Sequence, residues 1–146
     1  MRSTTKLFGF LFIAAAAGCA TPVPYTADEG LVAKSSLEET RNKTREVLLR
    51  SAPPNQVSSV DFTDDHMTVR TTQVHMGAWY QTYNTQTERQ LLFANLGRYE
   101  VYDNHYVFLY DLNNALLLQV LFRTPQDARS FADHLWSLRA HRAAKK

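Results

Sequence analysis

Between Val57 and Arg123 lie short runs in which apolar residues recur at close to every second position, separated by polar turns, and this period limits the fold more than any other feature of the chain. A period of two sends alternate side chains to opposite faces of a strand, so sheet is expected here and not helix. Val57, Val60 and Phe62 mark a first short strand, and Asp64-Asp65 turns it into a second carrying Met67, Val69 and Thr71. A third, aromatic strand is expected over Ala78–Tyr83, followed by a polar turn at Asn84-Thr85-Gln86. A fourth covers Glu88–Ala94 and a fifth Gly97–Tyr102, with Asp103-Asn104 as the next turn. His105–Leu112 and Ala115–Arg123 are the strongest strands, joined by Asn113-Asn114. Asn and Asp tolerate the positive φ that tight hairpins demand, so these turns have a mechanism. The spacing describes a meander of about seven antiparallel strands.

Helices are expected at both ends of this region. Residues 28–52 are charged and free of Pro until Pro53-Pro54, with only a narrow apolar stripe of Leu31, Leu37, Val47 and Leu48, Thr44 lying between. Such a helix lies on a surface or against one partner. At the other end Thr124-Pro125-Gln126-Asp127 offers a hydroxyl cap, a Pro in the first turn and an acid three residues after the cap. Ala128, Phe131, Ala132, Leu135, Trp136 and Leu138 then form a broad apolar face at helical spacing.

The order of elements over residues 57–142, and the entry Phe122-Arg123-Thr124-Pro125-Gln126-Asp127-Ala128-Arg129-Ser130-Phe131 into the last helix, is similar to the pleckstrin-homology-like architecture. That resemblance implies about seven strands in a bent barrel closed by the C-terminal amphipathic helix; with the N-terminal helix before them, the expected fold class is α+β. Phosphoinositide recognition is not implied, because Asp64 and Asp65 stand where the binding members carry basic residues.

The first 18 residues are set apart. Met1–Lys6 is polar and basic, Leu7–Ala17 is an apolar run of 11 residues, and small residues follow. Eleven residues fall well short of the ~20 needed to span a bilayer, and the three-part pattern is that of a secretory signal peptide. Ala16-Ala17-Gly18-Cys19 resembles the lipobox of bacterial lipoproteins, with Ala16 where that family usually has Leu; Cys19 is the single cysteine of the chain. The resemblance implies cleavage before Cys19, acylation of its thiol and new amine, and a lipid-anchored envelope protein. In a Gram-negative cell, Ala20 after the cysteine in place of Asp implies the outer membrane, facing the periplasm. Ordinary cleavage after Ala20 is the competing reading, and it would leave a soluble protein with no role for Cys19. Residues 19–27, with Pro22 and Pro24, read as an extended tether.

Arg2 and Lys6 belong to the leader, so 14 of the 16 basic residues remain against 14 acidic ones. A balanced domain has no broad field for phosphates, and nucleic acid is not an expected partner. The five histidines (His66, His75, His105, His134 and His141) show no HxH or HExxH spacing, so neither a metal nor another cofactor is expected. No GxSxG is present, and Gly30, Gly77 and Gly97 are too far apart for a phosphate loop. The domain is therefore read as no enzyme.

Surplus apolar surface is the remaining signal. A two-residue turn at Asn113-Asn114 sets Tyr110 opposite Leu117, Phe108 opposite Gln119 and Tyr106 opposite Leu121 on one face of the last hairpin. Leu109 meets Leu118 and Val107 meets Val120 on the other, so neither face is polar. One face needs a cover, either the N-terminal helix or a partner. Trp79, Tyr80 and Tyr83 form a second aromatic cluster that suits core and contact surface equally. The expected function is a membrane-tethered adaptor, with Trp79, Tyr80, Tyr83, Tyr106, Phe108 and Tyr110 as the candidate surface for an envelope protein or a second copy. A carrier of a lipid or apolar ligand is the alternative, and an enzyme with an assembled site a third.

Overall fold

A computed structural model describes residues 20–27, 30 and 34–143. The leader and the candidate lipidation site Cys19 lie outside the described residues, as does Leu31.

Helix α1 spans Leu37–Leu49; Gly30 and Lys34 are helical too, so the expected helix over 28–52 is interrupted at Ser35-Ser36, where the Ser36 hydroxyl caps α1 by accepting from the Glu39 N–H at 3.1 Å. The buried stripe is Thr40, Thr44, Val47 and Leu48, one face at helical spacing. Two threonines are tolerated there because each hydroxyl donates back to the carbonyl four residues earlier, Thr40 to Ser36 at 2.9 Å and Thr44 to Thr40 at 2.7 Å. Their small side chains let α1 lie close against the C-terminal helix α2, Pro125–Ala143, as well as on the first sheet.

Thr124 caps α2, accepting from the Asp127 N–H at 3.1 Å and donating to the Asp127 carboxylate at 2.9 Å. Its buried face is Ala128, Phe131, Ala132, Leu135 and Leu138, with the Phe131 ring 5.4 Å from Phe122.

The seven strands are all antiparallel and form two sheets, so the fold is α+β and not a closed barrel. One sheet has the order β2-β3-β4, with β2 Asn55–Phe62, β3 His66–Met76 and β4 Thr82–Leu92. The other has the order β1-β5-β6-β7, with β1 Pro22–Val23, β5 Leu96–Tyr102, β6 Tyr106–Asp111 and β7 Leu116–Leu121. Closure needs every strand edge paired. Here no strand of one sheet pairs with a strand of the other among the described residues; beside them lies an isolated bridge between Ser51 and Phe122, where the Ala52 N–H also donates to the Leu121 carbonyl at 2.7 Å.

The strand expected over Ala78–Tyr83 does not form. The chain turns at Gly77, whose N–H donates to the Gln81 carbonyl at 2.7 Å, and Ala78–Tyr80 is a single 3₁₀ turn. The expected turn at Asn84-Thr85-Gln86 lies instead inside β4, paired with Val74, Gln73 and Thr72 of β3. A strand solvated on both sides has no buried face to alternate with, so its polarity imitates a turn. By contrast, β6 and β7 pair in the expected register, Tyr106 with Leu121, Val107 with Val120, Phe108 with Gln119 and Leu109 with Leu118. A bulge then shifts the pairing by one, where the Asp111 carboxylate accepts the N–H groups of Asn113 and Ala115 at 2.8 Å.

Val57, Val60, Met67, Val69 and Leu91 of the first sheet face Val107, Leu109, Leu118, Val120 and Phe122 across a core filled by both helices. The Val107, Leu109, Leu118 and Val120 face of β6–β7 is thus the core face, while the other face, carrying Tyr106, Phe108 and Tyr110, stays half-buried and α1 packs instead against β2 and α2. Residues 19–27 do not run free where they are described. Pro22 and Val23 pair with Tyr102 and Val101, Thr21 bonds Asp103, and the Tyr25 hydroxyl donates to Asp133 at 2.7 Å.

Candidate functional site

The six aromatic candidates separate onto two sheets. Trp79, Tyr80 and Tyr83 sit at the end of an arm made by β3 and β4 beyond the reach of β2, whose pairing stops at Gln73. Trp79 is 91% exposed and holds φ 65°, the left-handed region. A bulky side chain is rarely found there, because Cβ crowds the following carbonyl. Tyr83 stacks on His75 with ring centroids 4.9 Å apart and remains 57% exposed. Met76, on the adjacent strand, is 73% exposed. The arm tip is therefore an apolar and aromatic surface offered to solvent.

Tyr106, Phe108 and Tyr110 lie half-buried on the outer face of the second sheet. Phe108 contacts Tyr102 and Tyr106 at centroid distances of 5.0 and 5.8 Å. Beside them Glu100 accepts from the Tyr102 and Tyr110 hydroxyls at 3.0 and 3.2 Å and from the Arg98 guanidinium, which also covers the Tyr110 ring at 4.0 Å. Burial pushes the Glu100 carboxyl up, but the Arg98 and Tyr102 donors outweigh it and hold the group below the usual carboxylate range. Burial first, and then Glu100, raise both tyrosines. The Glu100 hydrogen bonds to Arg98, Tyr102 and Tyr110 tie these side chains together and hold the cluster in place. A cleft of about 180 Å³ is lined by Ala20, Tyr102, Asn104, Tyr106, Phe108 and Gln119. This aromatic face thus begins next to the residue that follows Cys19.

Sequence reasoning missed a third feature, a polar cleft of about 160 Å³ between the sheets. Asn55, Thr71, Gln73, Thr87 and Arg89 line it together with Leu116 and Gln119. Arg89 donates across it to the Leu117 carbonyl at 3.0 Å. The lining carries amides, hydroxyls and one cation but no carboxylate or imidazole, so it supplies no acid–base pair. No group of three potential metal ligands occurs among the described residues. His134 is buried near both helices, with Ser130 at 3.3 Å from its Nε2 and no hydrogen-bond partner for its Nδ1. Burial, then the Lys43 cation, push its pKa below the ordinary imidazole value.

No family model, no curated protein and no solved structure matches the chain.

Proposed function

We propose that the chain is a lipid-anchored envelope protein, held through Cys19, whose folded part is a non-catalytic interaction module that presents the β3–β4 arm to a partner. The observation that carries the reading is Trp79, a large aromatic side chain in a strained backbone conformation with nearly all of its surface in water. Strain and exposure together have no benefit for the fold, and strain of this kind concentrates where a surface is used. Exposed aromatics are also the side chains that carry most binding energy at interfaces. Clefts of about 160, 180 and, beside Tyr25 and Arg129, 230 Å³ fall below the roughly 300–1,000 Å³ of ligand pockets, which favours an adaptor over a carrier.

The pleckstrin-homology-like arrangement belongs to the same proposal. Two antiparallel sheets followed by a C-terminal helix that packs on their inner faces support it, while six strands between the helices and an open seam depart from it. Among the described residues no helix is long and apolar enough to cross a membrane, so attachment in this reading rests on the lipid. Several acyl chains, at ~0.8 kcal/mol per buried methylene, suffice for stable anchoring where one does not.

Metabolic labelling with a fatty acid tests the anchor. The wild-type chain is expected to take up label and fractionate with membranes, and Cys19→Ser to lose both. Membrane attachment of Cys19→Ser without label refutes the anchor. The interaction reading is tested by capture on the intact protein with Trp79→Asn as its control; a partner set unchanged by that substitution refutes the arm as the contact.

A further inference from the structure

We infer that the partner engaged along the arm is a second copy of this chain, joined by antiparallel pairing of β4 with β4 into a continuous six-stranded sheet. The inference rests on the reading of the arm as a contact surface and is independent of the anchor.

It begins with the sheet edges. An open edge presents unpaired N–H and C=O groups to any passing strand, and folded proteins cover or blunt such edges. Three of the four edges here are managed. On β2, the Val57 N–H donates to the Ser51 hydroxyl at 2.8 Å and Arg45 donates to the Val60 carbonyl at 3.0 Å. On β7, Arg89 and the Ala52 N–H occupy the Leu117 and Leu121 carbonyls. On β5, the edge is covered by β1, which is only two residues long. The outer edge of β4 has nothing comparable: among the described residues no strand pairs with it. Thr82–Gln90 are nine consecutive exposed residues. The strand contains no Pro, Gly or Lys, its Glu88 and Arg89 cancel, and Thr and Tyr favour extended backbone. This composition favours strand pairing, and apart from Glu88 and Arg89 it lacks the devices that prevent it.

The edge is also complementary to itself. Two copies pairing antiparallel are related by a two-fold axis, so the register is defined by the residue on that axis. Registers centred on Glu88 or Arg89 set like charges opposite each other and are disfavoured. A register centred on Gln86 sets Tyr83 opposite Arg89 of the second copy, Asn84 opposite Glu88, and Thr85 opposite Thr87. Tyr83 and Arg89 lie on one face of the strand and Asn84 and Glu88 on the other, as directly opposed residues must. Thr85 and Thr87 then meet across the seam, and the Glu88 carboxylate, held within its own chain by Arg70 at 2.6 Å, faces an amide donor in place of a like charge. The same register brings exposed Leu92, at 44%, to the arm tip of the other copy beside Trp79. Every one of these pairs occurs twice.

Gln86→Cys in the full chain, oxidised mildly in intact cells, tests the inference. Opposed residues of an antiparallel pair have Cα atoms ~4.5–5.5 Å apart, within disulfide reach. The expected product is a dimer of the chain, formed by Gln86→Cys but not by the wild type, which controls for Cys19. Thr72→Cys, one strand further in, lies three strand spacings of ~4.8 Å from its copy and is expected to give none. Within the Gln86→Cys chain, Asn84→Glu is expected to cut the dimer several-fold by opposing Glu88 twice, and Asn84→Lys to retain it. A dimer of equal yield from Thr72→Cys overturns the inference, as does insensitivity to the charge at position 84. A crosslinked product containing a different protein also overturns it while leaving the interaction reading intact. If Gln86→Cys yields no product and capture finds no Trp79-dependent partner, both readings fail.

Discussion

Replacing Trp79 by Asn should stabilise the fold while removing the surface proposed to bind. Two opposing terms set the size of the effect. The side chain is 91% exposed, so roughly a tenth of its area is withdrawn from water. With a full Trp burying at most ~250 Å² and ~25 cal/mol per Å², losing that contact costs about 0.5 kcal/mol. Against this stands the backbone, at φ 65° and ψ 29°. A left-handed conformation costs an ordinary L-residue roughly 1–2 kcal/mol, whereas Asn visits it readily. The net expectation is a gain of about 0.5–1.5 kcal/mol. Trp79→Ala gives up the contact but keeps the strain, so it should lose about 0.5 kcal/mol. Urea titration followed by circular dichroism resolves the two variants, and thermal melting should show Asn some ~2–5 °C above wild type. A loss exceeding ~2 kcal/mol in Trp79→Asn would refute the reasoning, since it would mean that the ring is buried in the protein as it exists in solution.

Two further substitutions probe the body of the fold. Gly97→Ala should destabilise by about 1–3 kcal/mol in urea, because a Cβ at this bulge in β5 would overlap the Asp111 carbonyl and crowd the Leu112 nitrogen, both backbone atoms. His134 should make stability depend on pH: its folded pKa lies below the unfolded value near 6.5, so the unfolded chain takes up the proton first. Stability is then full above about pH 6.5 and falls as the pH drops below it, and His134→Gln should flatten that slope between pH 6.5 and about 5, above the range where carboxylates titrate.

Those parts of the fold that depend on local chemistry are legible in the amino-acid sequence. The β6–β7 register from Tyr106 to Leu109 follows from the Asn113-Asn114 turn between two strongly apolar strands, and the start of α2 from the reciprocal bonds of Thr124 and Asp127. The arm is not legible, for an equally physical reason. Thr82–Gln90 faces water on both sides, so no period of two is impressed on it, and Asn84-Thr85-Gln86 resembles a turn in composition alone. Pairing at the sheet edges is hidden as well: β1 is two residues long, and whether a barrel closes depends on edges far apart in the chain. Aromatic residue types can be picked out as candidates, but exposure cannot. Trp79 and Tyr83 prove to be solvent-facing, while Tyr106, Phe108 and Tyr110 are half-buried around Glu100. The polar cleft draws on residues from positions 55 to 119 and leaves no local pattern to find.

The arm is a part of the molecule that the core does not require. None of its residues from Val74 to Asn84 whose side chain is described is buried, and β2 pairs no further along β3 than Gln73. A two-stranded ribbon without a buried face is marginal by itself in water. Yet β3 and β4 stay in unbroken register from His66–Leu92 to Met76–Thr82, and the ribbon ends in a residue whose backbone conformation works against its own side chain. Conformational entropy opposes ordering every one of these residues, and little apolar burial within the chain offsets it. An extension with those properties is stabilised in full only when something lies along its open side. The edge that would receive it is the one left without Pro, Lys, bulge or covering strand, and a register that sets no like charges opposite each other is one that a second, identical edge can supply.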